Sequence, residues 1–212
     1  MRLFTPIRTP QWISWFYPSF LWGVPNSKAI YLTFDDGPTP ETTPEILALL
    51  KAYNAKATFF CVGNNVEKHP SLFKEIIEQG HSWGNHTFYH NDLKNTPPEE
   101  YRNSTEKSSA IMEKHAKQRT TLFRPPQGRF RYNFKKILGA NYKVVFWTLL
   151  SMDHAADSSI DSCTANLLKA KHGDIVVLHD NLRTKETTLK SLEAFLKWAQ
   201  KNEIILLGLP MK

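Results

Sequence analysis

Ile30-Tyr31-Leu32-Thr33-Phe34-Asp35-Asp36-Gly37-Pro38 is the stretch of sequence that decides the fold. Its first five residues are β-branched, aliphatic or aromatic, which predicts a buried strand that runs into a turn. Neighbouring side chains of a strand point to opposite faces, so Asp35 and Asp36 share one cavity only if the chain bends between them. Gly37 permits such a bend, and Pro38 ends the strand pairing. Asp-Gly-Pro also occurs in ordinary loops, so this stretch alone does not establish a catalytic site.

A second stretch, His86-Thr87-Phe88-Tyr89-His90, places two imidazoles four residues apart. On a helix or a helical turn, this spacing puts both rings on one face, where they can bind one ion. With one aspartate they supply three ligands and leave a position open for water, as in catalytic zinc sites. Because this ligand set contains no thiolate, it also suits cobalt, nickel or non-haem iron. The alternatives are ordinary surface or core histidines, and Asp92 as a rival ligand.

Three further segments carry polar residues beside turns or strands. They are Arg124-Pro125-Pro126-Gln127-Gly128, the segment from Trp147 to Asp153-His154, and Val176-Val177-Leu178-His179-Asp180. Together with the first two stretches, and in this order, they resemble the motifs of the polysaccharide deacetylase family, the NodB-homology domain of carbohydrate esterases. The resemblance covers about residues 28–210. It implies an α/β fold, an irregular (β/α)7 barrel with its catalytic residues at the carboxyl ends of the strands.

The resemblance also implies roles for the polar residues of the first three motifs. Asp35 would be the general base, while Asp36, His86 and His90 would bind the divalent metal. Such an ion acidifies water and polarises the carbonyl oxygen of an amide, and Asp35 would accept the water's proton. Arg124 would pair with Asp35 and keep it ionised, since a nearby positive charge lowers a carboxylate pKa. The alternative for Arg124 is an ordinary surface arginine.

The last two motifs supply the acid and its partner in the same family pattern. His179 would protonate the leaving amine, and Asp153 would tune its pKa. The backbone N–H of Gln127 would donate to the oxyanion. Leu178 would line the slot for the acetyl methyl group. A structural histidine at a strand end and a plain core leucine are the alternatives for His179 and Leu178.

Two positions depart from the family pattern. Family members usually carry an aromatic residue where this chain has Gln127, and a tryptophan where it has His154. We therefore expect a more polar pocket or an altered acyl preference. Trp147, in the fourth motif, joins Gln127, Leu178 and His154 as expected substrate-binding residues.

The rest of the chain alternates between strand and helix patterns, which indicates a parallel sheet. No internal repeat or second domain is visible. The patterns predict strands over 56–62, 142–149, 174–178 and 203–209, and helices over 45–50, 70–79, 159–169 and 186–201, with a further helix beginning near residue 97.

The first 27 residues are rich in aromatic side chains and are interrupted by Pro18. The segment is too short and too broken to span a bilayer, and it lacks a signal-peptide pattern. We expect residues 1–27 to form an extension packed over the base of the barrel, and residues 28–212 to form the catalytic domain. The less favoured alternative is contact with a membrane surface, because Trp and Tyr beside Arg2 and Arg8 suit an interface.

Composition is that of one globular domain: 212 residues, 41% hydrophobic and 22% charged. The net charge of +7 permits attraction to anionic glycans, but the lysines are scattered and no nucleic-acid motif is present. Cys61 in a strand and Cys163 in a helix are expected to be buried free thiols, consistent with a cytoplasmic location.

The sequence thus predicts a metal-dependent hydrolase that removes N-acetyl groups from an amino sugar or polysaccharide of the peptidoglycan or chitin type. Its partner would be a carbohydrate, with zinc as the favoured metal. A catalytically silent glycan-binding domain and a cyclic-amide (ureide) hydrolase on the same barrel are the alternatives.

Overall fold

The computed structural model describes residues 6–131, 133–139 and 141–211. The described strands, in chain order, are β1 (Ala29–Asp35), β2 (Thr58–Cys61), β3 (Ser82–Asn85), β4 (Leu122–Phe123), β5 (Lys143–Val144), β6 (Leu149–Leu150), β7 (Ile175–His179) and β8 (Ile205–Leu207). They form one parallel sheet in the order β5-β4-β3-β2-β1-β7-β6, and β8 pairs with the start of β1. The (β/α) alternation predicted from the sequence therefore yields the expected irregular barrel.

The first described helix precedes β1, and the others connect the strands and cover the outer face of the sheet. They are α1 (Gln11–Phe16), α2 (Thr43–Ala52), α3 (Gly63–Lys68), α4 (Pro70–Glu78), α5 (Pro98–Ala116), α6 (Phe134–Leu138), α7 (Ile160–Leu167) and α8 (Lys185–Lys201). Among the described residues, no helix combines the length and the apolar character needed to cross a membrane.

The two faces of β1 are both buried, but they contact different parts of the molecule. Ile30, Leu32 and Phe34 belong to the outer core between sheet and helices. Tyr31 belongs to a smaller cluster on the inner face. Because side chains alternate along a strand, Asp35 shares the inner face with Tyr31. The central strand thus delivers a carboxylate to the inside of the barrel at its carboxyl end.

The seam between β5 and β6 is covered by the N-terminal segment. Leu21 forms a bridge with Val145, and Arg8 forms one with Leu149. The Leu21 backbone N–H donates to the Val144 carbonyl at 2.8 Å. These hydrogen bonds occupy backbone groups that would otherwise be unpaired at the sheet's open edges. The segment therefore lies along the seam between β5 and β6.

The aromatic side chains of this segment divide into two groups. Phe20 is buried and packs edge-on against Phe130. In contrast, Trp12, Trp15 and Phe16 are 56%, 72% and 72% exposed. The expectation that the aromatic segment packs against the barrel is thus wrong for α1. No residue of this short helix is buried, and only Ile13 and Ser14 are half-buried.

Two other sequence expectations need correction. Residues 142–149 do not form one strand: β5 ends at Val144 and β6 begins at Leu149, with a break between them. His86 and His90 do not lie on a helix, because they follow β3 in an irregular loop. Cys61 and Cys163 are buried free thiols, as predicted.

Candidate active site

Three side chains of metal-ligand type converge at the carboxyl ends of β1 and β3. Asp36 Oδ1 lies 3.7 Å from His86 Nε2 and 3.3 Å from His90 Nε2. One possible ligand atom from each residue lies within 4.8 Å of the other two. Asp92, the rival ligand, is instead paired with Arg129. The fold therefore gathers the three residues that the sequence suggested.

Hydrogen bonding in this cluster suits a divalent cation. Asp36 Oδ1 is buried and has no hydrogen-bond partner among the described residues. His86 Nδ1 donates to the Arg124 carbonyl at 2.8 Å, so its Nε2 presents a lone pair to Asp36. Burial lowers the pKa of His86 to about 4, which keeps this ring neutral. Burial alone would raise the pKa of Asp36, but attraction to His179 and the hydrogen bond from Asn181 lower it below its usual value. One carboxylate beside two imidazoles is a donor set that zinc accepts.

Asp35 is held by an arginine that is fully buried. Arg124 Nη1 donates to Asp35 Oδ1 and to Thr33 Oγ1, each at 2.7 Å. Burial lowers the pKa of Arg124, while its attraction to Asp35 opposes that change. The alternative of an ordinary surface arginine is therefore excluded. Asp35 Oδ2 accepts no hydrogen bond within the described residues, which leaves it available to a proton.

His179 faces Asp35 across neighbouring strands, because the two residues are register partners in β1 and β7. His179 Nδ1 donates to Asp153 Oδ1 at 2.7 Å, and Thr188 Oγ1 donates to Asp153 Oδ2 at 2.8 Å. Burial would lower the pKa of His179, but the Asp153 carboxylate raises it to about 9. His154 stands beside this pair, with its Nδ1 3.6 Å from Asp153 Oδ1. The ring of His179 is therefore oriented and carries a proton near neutral pH.

Unusual backbone conformations produce this convergence. Asp36, Thr87 and His90 all have positive φ, at 81°, 63° and 55°. The turn at Asp36 is possible because Gly37 follows it: a Cβ on Gly37 would overlap the Asp180 carboxylate. Left-handed backbone at Thr87 and His90 brings two rings together without a helix. The i to i+4 spacing thus predicted the convergence correctly but by the wrong local structure.

The loop after β4 carries a backbone N–H that the sequence motifs predict as a donor. Pro126–Gly128 form a short 3-10 turn, in which Gln127 has a φ of 57°. Among the described residues, the Gln127 N–H donates to no acceptor. Gly128 lies directly against Trp147, where a Cβ would overlap the indole ring. Trp147 therefore supports the turn that presents the Gln127 N–H.

Comparison with known proteins identifies the family. Residues 23–145 match the family described as polysaccharide deacetylase. The chain belongs to the polysaccharide deacetylase family. A peptidoglycan-N-acetylglucosamine deacetylase of Bacillus cereus is 38% identical over 179 residues, covering 82% of this chain and 84% of the relative. A peptidoglycan-N-acetylmuramic acid deacetylase of Bacillus subtilis is 31% identical over 186 residues, covering 84% of this chain and 71% of the relative.

A solved structure extends the match to the whole barrel. It is a crystal structure of a peptidoglycan N-acetylglucosamine deacetylase in complex with 4-naphthalen-1-yl-N-oxidanyl-benzamide. The two chains are 32% identical, with a TM-score of 0.86 over 93% of this chain and 94% of that chain. The resemblance stated from five short motifs is confirmed, and so is the predicted barrel.

One residue carried over from the family pattern does not lie where it was expected. Leu178 is fully buried in the outer core, among side chains of the covering helices. It cannot line a slot beside His179, because adjacent residues of β7 point to opposite faces. Val177 lies two residues before His179 and so shares its face. The expectation for Leu178 is therefore wrong, and Val177 is the residue of β7 that lies toward the site.

Sequence reasoning missed several residues that hold the polysaccharide deacetylase site together. Asn181 Nδ2 donates to Asp36 Oδ2 at 2.7 Å, and Asn65 Nδ2 donates to the Asp36 carbonyl at 2.8 Å. Thr188 supports Asp153, as described above. Asn181 could have been found, since it follows His179 by two residues at a strand end. Asn65 and Thr188 lie on or beside helices without any local signal.

Proposed function

We propose that this chain is a metal-dependent hydrolase that removes the N-acetyl group from an amino sugar of a peptidoglycan-type glycan. One observation carries the proposal: a three-ligand cluster stands beside Asp35 and His179, and each of these is oriented by its own buried partner. Arg124 holds Asp35, and Asp153 holds His179. This arrangement combines a base, an acid and a cation site at the carboxyl ends of neighbouring strands.

The base is the Oδ2 atom of Asp35. Its other oxygen is bound by Arg124, so the carboxylate has one free acceptor in a fixed direction. A water beside it would lose a proton to Oδ2 as it attacks the acetamido carbonyl. Asp36, His86 and His90 would hold a divalent cation, which would acidify that water and polarise the carbonyl. We propose zinc, because two imidazole nitrogens and one carboxylate match its preferred ligands.

The acid is His179. Its Nδ1 is committed to Asp153, which leaves Nε2 to deliver a proton to the departing amine. A pKa of about 9 means that the ring is protonated at neutral pH, as a proton donor must be. The backbone N–H of Gln127 would donate to the oxyanion of the tetrahedral intermediate. Trp147, through Gly128, keeps this donor in place.

The proposed substrate class follows from the relatives, which are named for N-acetylglucosamine and N-acetylmuramic acid in peptidoglycan. His154 stands beside Asp153 with one third of its side chain exposed, so it would give the acyl pocket a polar wall. We propose Val177, Gln127 and His154 as pocket residues. The cytoplasmic location, the absence of a nucleic-acid partner and the less favoured contact with a membrane surface stay predictions.

The test is acetate release from metal-depleted protein after addition of zinc, cobalt or nickel. The substrates are peptidoglycan fragments, N-acetylglucosamine oligomers and a cyclic ureide. We expect release from a glycan only when metal is added. Metal and glycan binding without acetate would instead indicate a silent glycan-binding domain. Consumption of the ureide alone would indicate the ureide hydrolase.

Two variants test the assignment of the base. Asp35→Asn should still bind one metal ion per chain but lose activity by roughly a thousandfold, the range of a positioned general base. Asp161→Asn makes the same change on the exposed first turn of α7 and should behave as wild type. Comparable turnover by Asp35→Asn and wild type would refute the assigned base.

A further inference from the structure

A small cationic cavity lies at the rim of the proposed active site. Its volume is 380 Å3, and we call it the rim cavity. This size is near the lower end for ligand pockets, so it suits one substituent of a larger substrate. It is lined by Leu93, Lys94, Gly128, Arg129, Phe130 and Arg131.

The rim cavity carries an excess of positive charge. Arg129 is paired with Asp92. Within the part of the chain that the structure describes, Arg131 donates only to the backbone carbonyl of Lys94, at 3.3 Å. Among the described residues, neither Arg131 nor the Lys94 ammonium forms an ion pair with a carboxylate. Two of the three cations therefore remain available to an anion.

The arginines of the rim cavity flank an anchored side chain. Phe130, between Arg129 and Arg131, packs edge-on against Tyr17 and Phe146, with ring centroids 4.7 and 5.1 Å apart. This packing fixes the backbone from which both guanidinium groups extend. A cation on a fixed backbone loses less conformational freedom on binding than one on a mobile loop.

The rim cavity joins the two loops that carry the proposed chemistry. Gly128 directly follows Gln127, whose N–H is the proposed oxyanion donor. On the other side, Lys94 lies in the loop that begins with His90. A group in this cavity would therefore belong to the same glycan chain as the acetamido group under attack, or to a substituent of that chain.

We propose that the rim cavity binds a carboxylate of the glycan and so selects acidic glycans over neutral ones. Arginine is suited to this because its planar fork matches a carboxylate. A neutral chitin-type chain offers no such group. The carboxylate could be that of a lactyl ether on the neighbouring sugar or of a peptide attached to it. The inference rests on the proposed function, and the binding measurement below separates the two.

The test compares wild type with Arg131→Gln on three tetrasaccharides at low salt. The first is a neutral N-acetylglucosamine tetrasaccharide. In the second, every other sugar bears a free lactyl carboxylate, and in the third those lactyl groups carry peptides. We expect Arg131→Gln to reduce the ratio of acidic to neutral kcat/KM about fivefold, the value of one screened ion pair. Added salt should reduce this difference. The acidic substrate that shows the effect identifies which carboxylate is bound.

Lys135→Gln is the matched control, because it removes a positive charge from an exposed position on α6 nearby. Its ratio should equal that of wild type. An equal effect of Arg131→Gln on neutral and acidic substrates, or no effect on either acidic one, would overturn the proposal. Calorimetric binding of the acidic tetrasaccharides to Asp35→Asn protein, with and without Arg131→Gln, needs no turnover. If no glycan is hydrolysed, the proposed function fails. Weaker binding of the acidic tetrasaccharides upon Arg131→Gln would still support carboxylate binding in the rim cavity.

Discussion

Replacing Arg124 by glutamine tests whether one buried cation supports both the fold and the proposed base. The guanidinium is fully buried and has four polar contacts. Nη1 donates to Asp35 Oδ1 and Thr33 Oγ1 at 2.7 Å. Nη2 donates to the Phe146 carbonyl at 3.1 Å, and Nε to the Val145 carbonyl at 3.4 Å. Glutamine is shorter and neutral, so it cannot satisfy this set.

The magnitude follows from what the substitution leaves behind. Removing one partner of a buried ion pair costs about 3 to 5 kcal/mol, since the remaining charge is buried without compensation. The two carbonyls lose donors as well, although a glutamine amide can restore one of them. We therefore expect the free energy of unfolding to fall by about 4 kcal/mol. For a chain of this size, Tm should fall by roughly 10 °C.

Urea unfolding at neutral pH measures the loss, and Arg8→Gln provides the control. Arg8 also forms an ion pair with a carboxylate, 2.9 Å from Asp174, but its side chain is 38% exposed. Asp174 is buried, but water reaches the Arg8 side chain, so this pair should contribute less than the fully buried one, about 1 kcal/mol. The same chemical change should thus have a much smaller effect at Arg8 than at Arg124.

A double variant separates lost charge compensation from lost packing. In Arg124→Gln with Asp35→Asn, the uncompensated carboxylate is absent, so the double variant should be more stable than Arg124→Gln alone. If Arg124→Gln loses less than 1 kcal/mol, the ion pair does not stabilise the fold as described. A double variant no more stable than Arg124→Gln would show that the loss comes from packing.

Three shorter predictions concern other parts of the molecule. Burial lowers the pKa of His81 to about 4 from an unfolded value near 6.5, so the free energy of unfolding should fall as the pH drops through this window. In His81→Asn, the free energy of unfolding, measured by denaturant titration at each pH, should fall by about 2 kcal/mol less over the same window. Gly128→Ala should lower the free energy of unfolding by about 2 kcal/mol, because the added Cβ would overlap Trp147. Gly139→Ala places its Cβ in open space, so denaturant unfolding should show a loss of about half that size. A chelator should lower the Tm of the zinc-loaded protein by roughly 5 to 10 °C but leave that of Asp36→Asn unchanged in a thermal scan.

Much of the fold could be predicted from the sequence because the patterns that specify its strands are local. A run of β-branched and aromatic residues ending at Gly37 predicted β1, which spans Ala29–Asp35. Likewise, the apolar run before His179 predicted β7, which spans Ile175–His179. These strands are central and buried on both faces, so their composition reports their burial directly. The candidate metal cluster was predictable for the same reason, because Asp36 and His86 directly follow strands and His90 is close to His86 in the sequence.

The failures arise where distant contacts override local pattern. Residues 142–149 read as one strand, yet the carbonyls of Val145 and Phe146 turn toward the Arg124 guanidinium. Leu21 forms a bridge with Val145 across the seam, and no sequence pattern near either residue predicts this pairing. The error at Leu178 is different, since the two-residue period of a strand was sufficient to exclude it. In that case a family pattern was placed one residue out of register.

The site's backbone explains why its geometry is hard to infer from the sequence even when its residues are evident. Asp36, Thr87, His90 and Gln127 all have positive φ, and each is a proposed metal ligand, a linker between two of them or the proposed oxyanion donor. Such conformations cost non-glycine residues about 1 kcal/mol or more each, and most for β-branched Thr87. The fold must therefore enforce them: for example, the Asn85 side chain accepts from the Thr87 N–H at 2.8 Å. The intrinsic preferences of these four residues favour other backbone conformations, so the observed ones depend on stabilisation by the folded core.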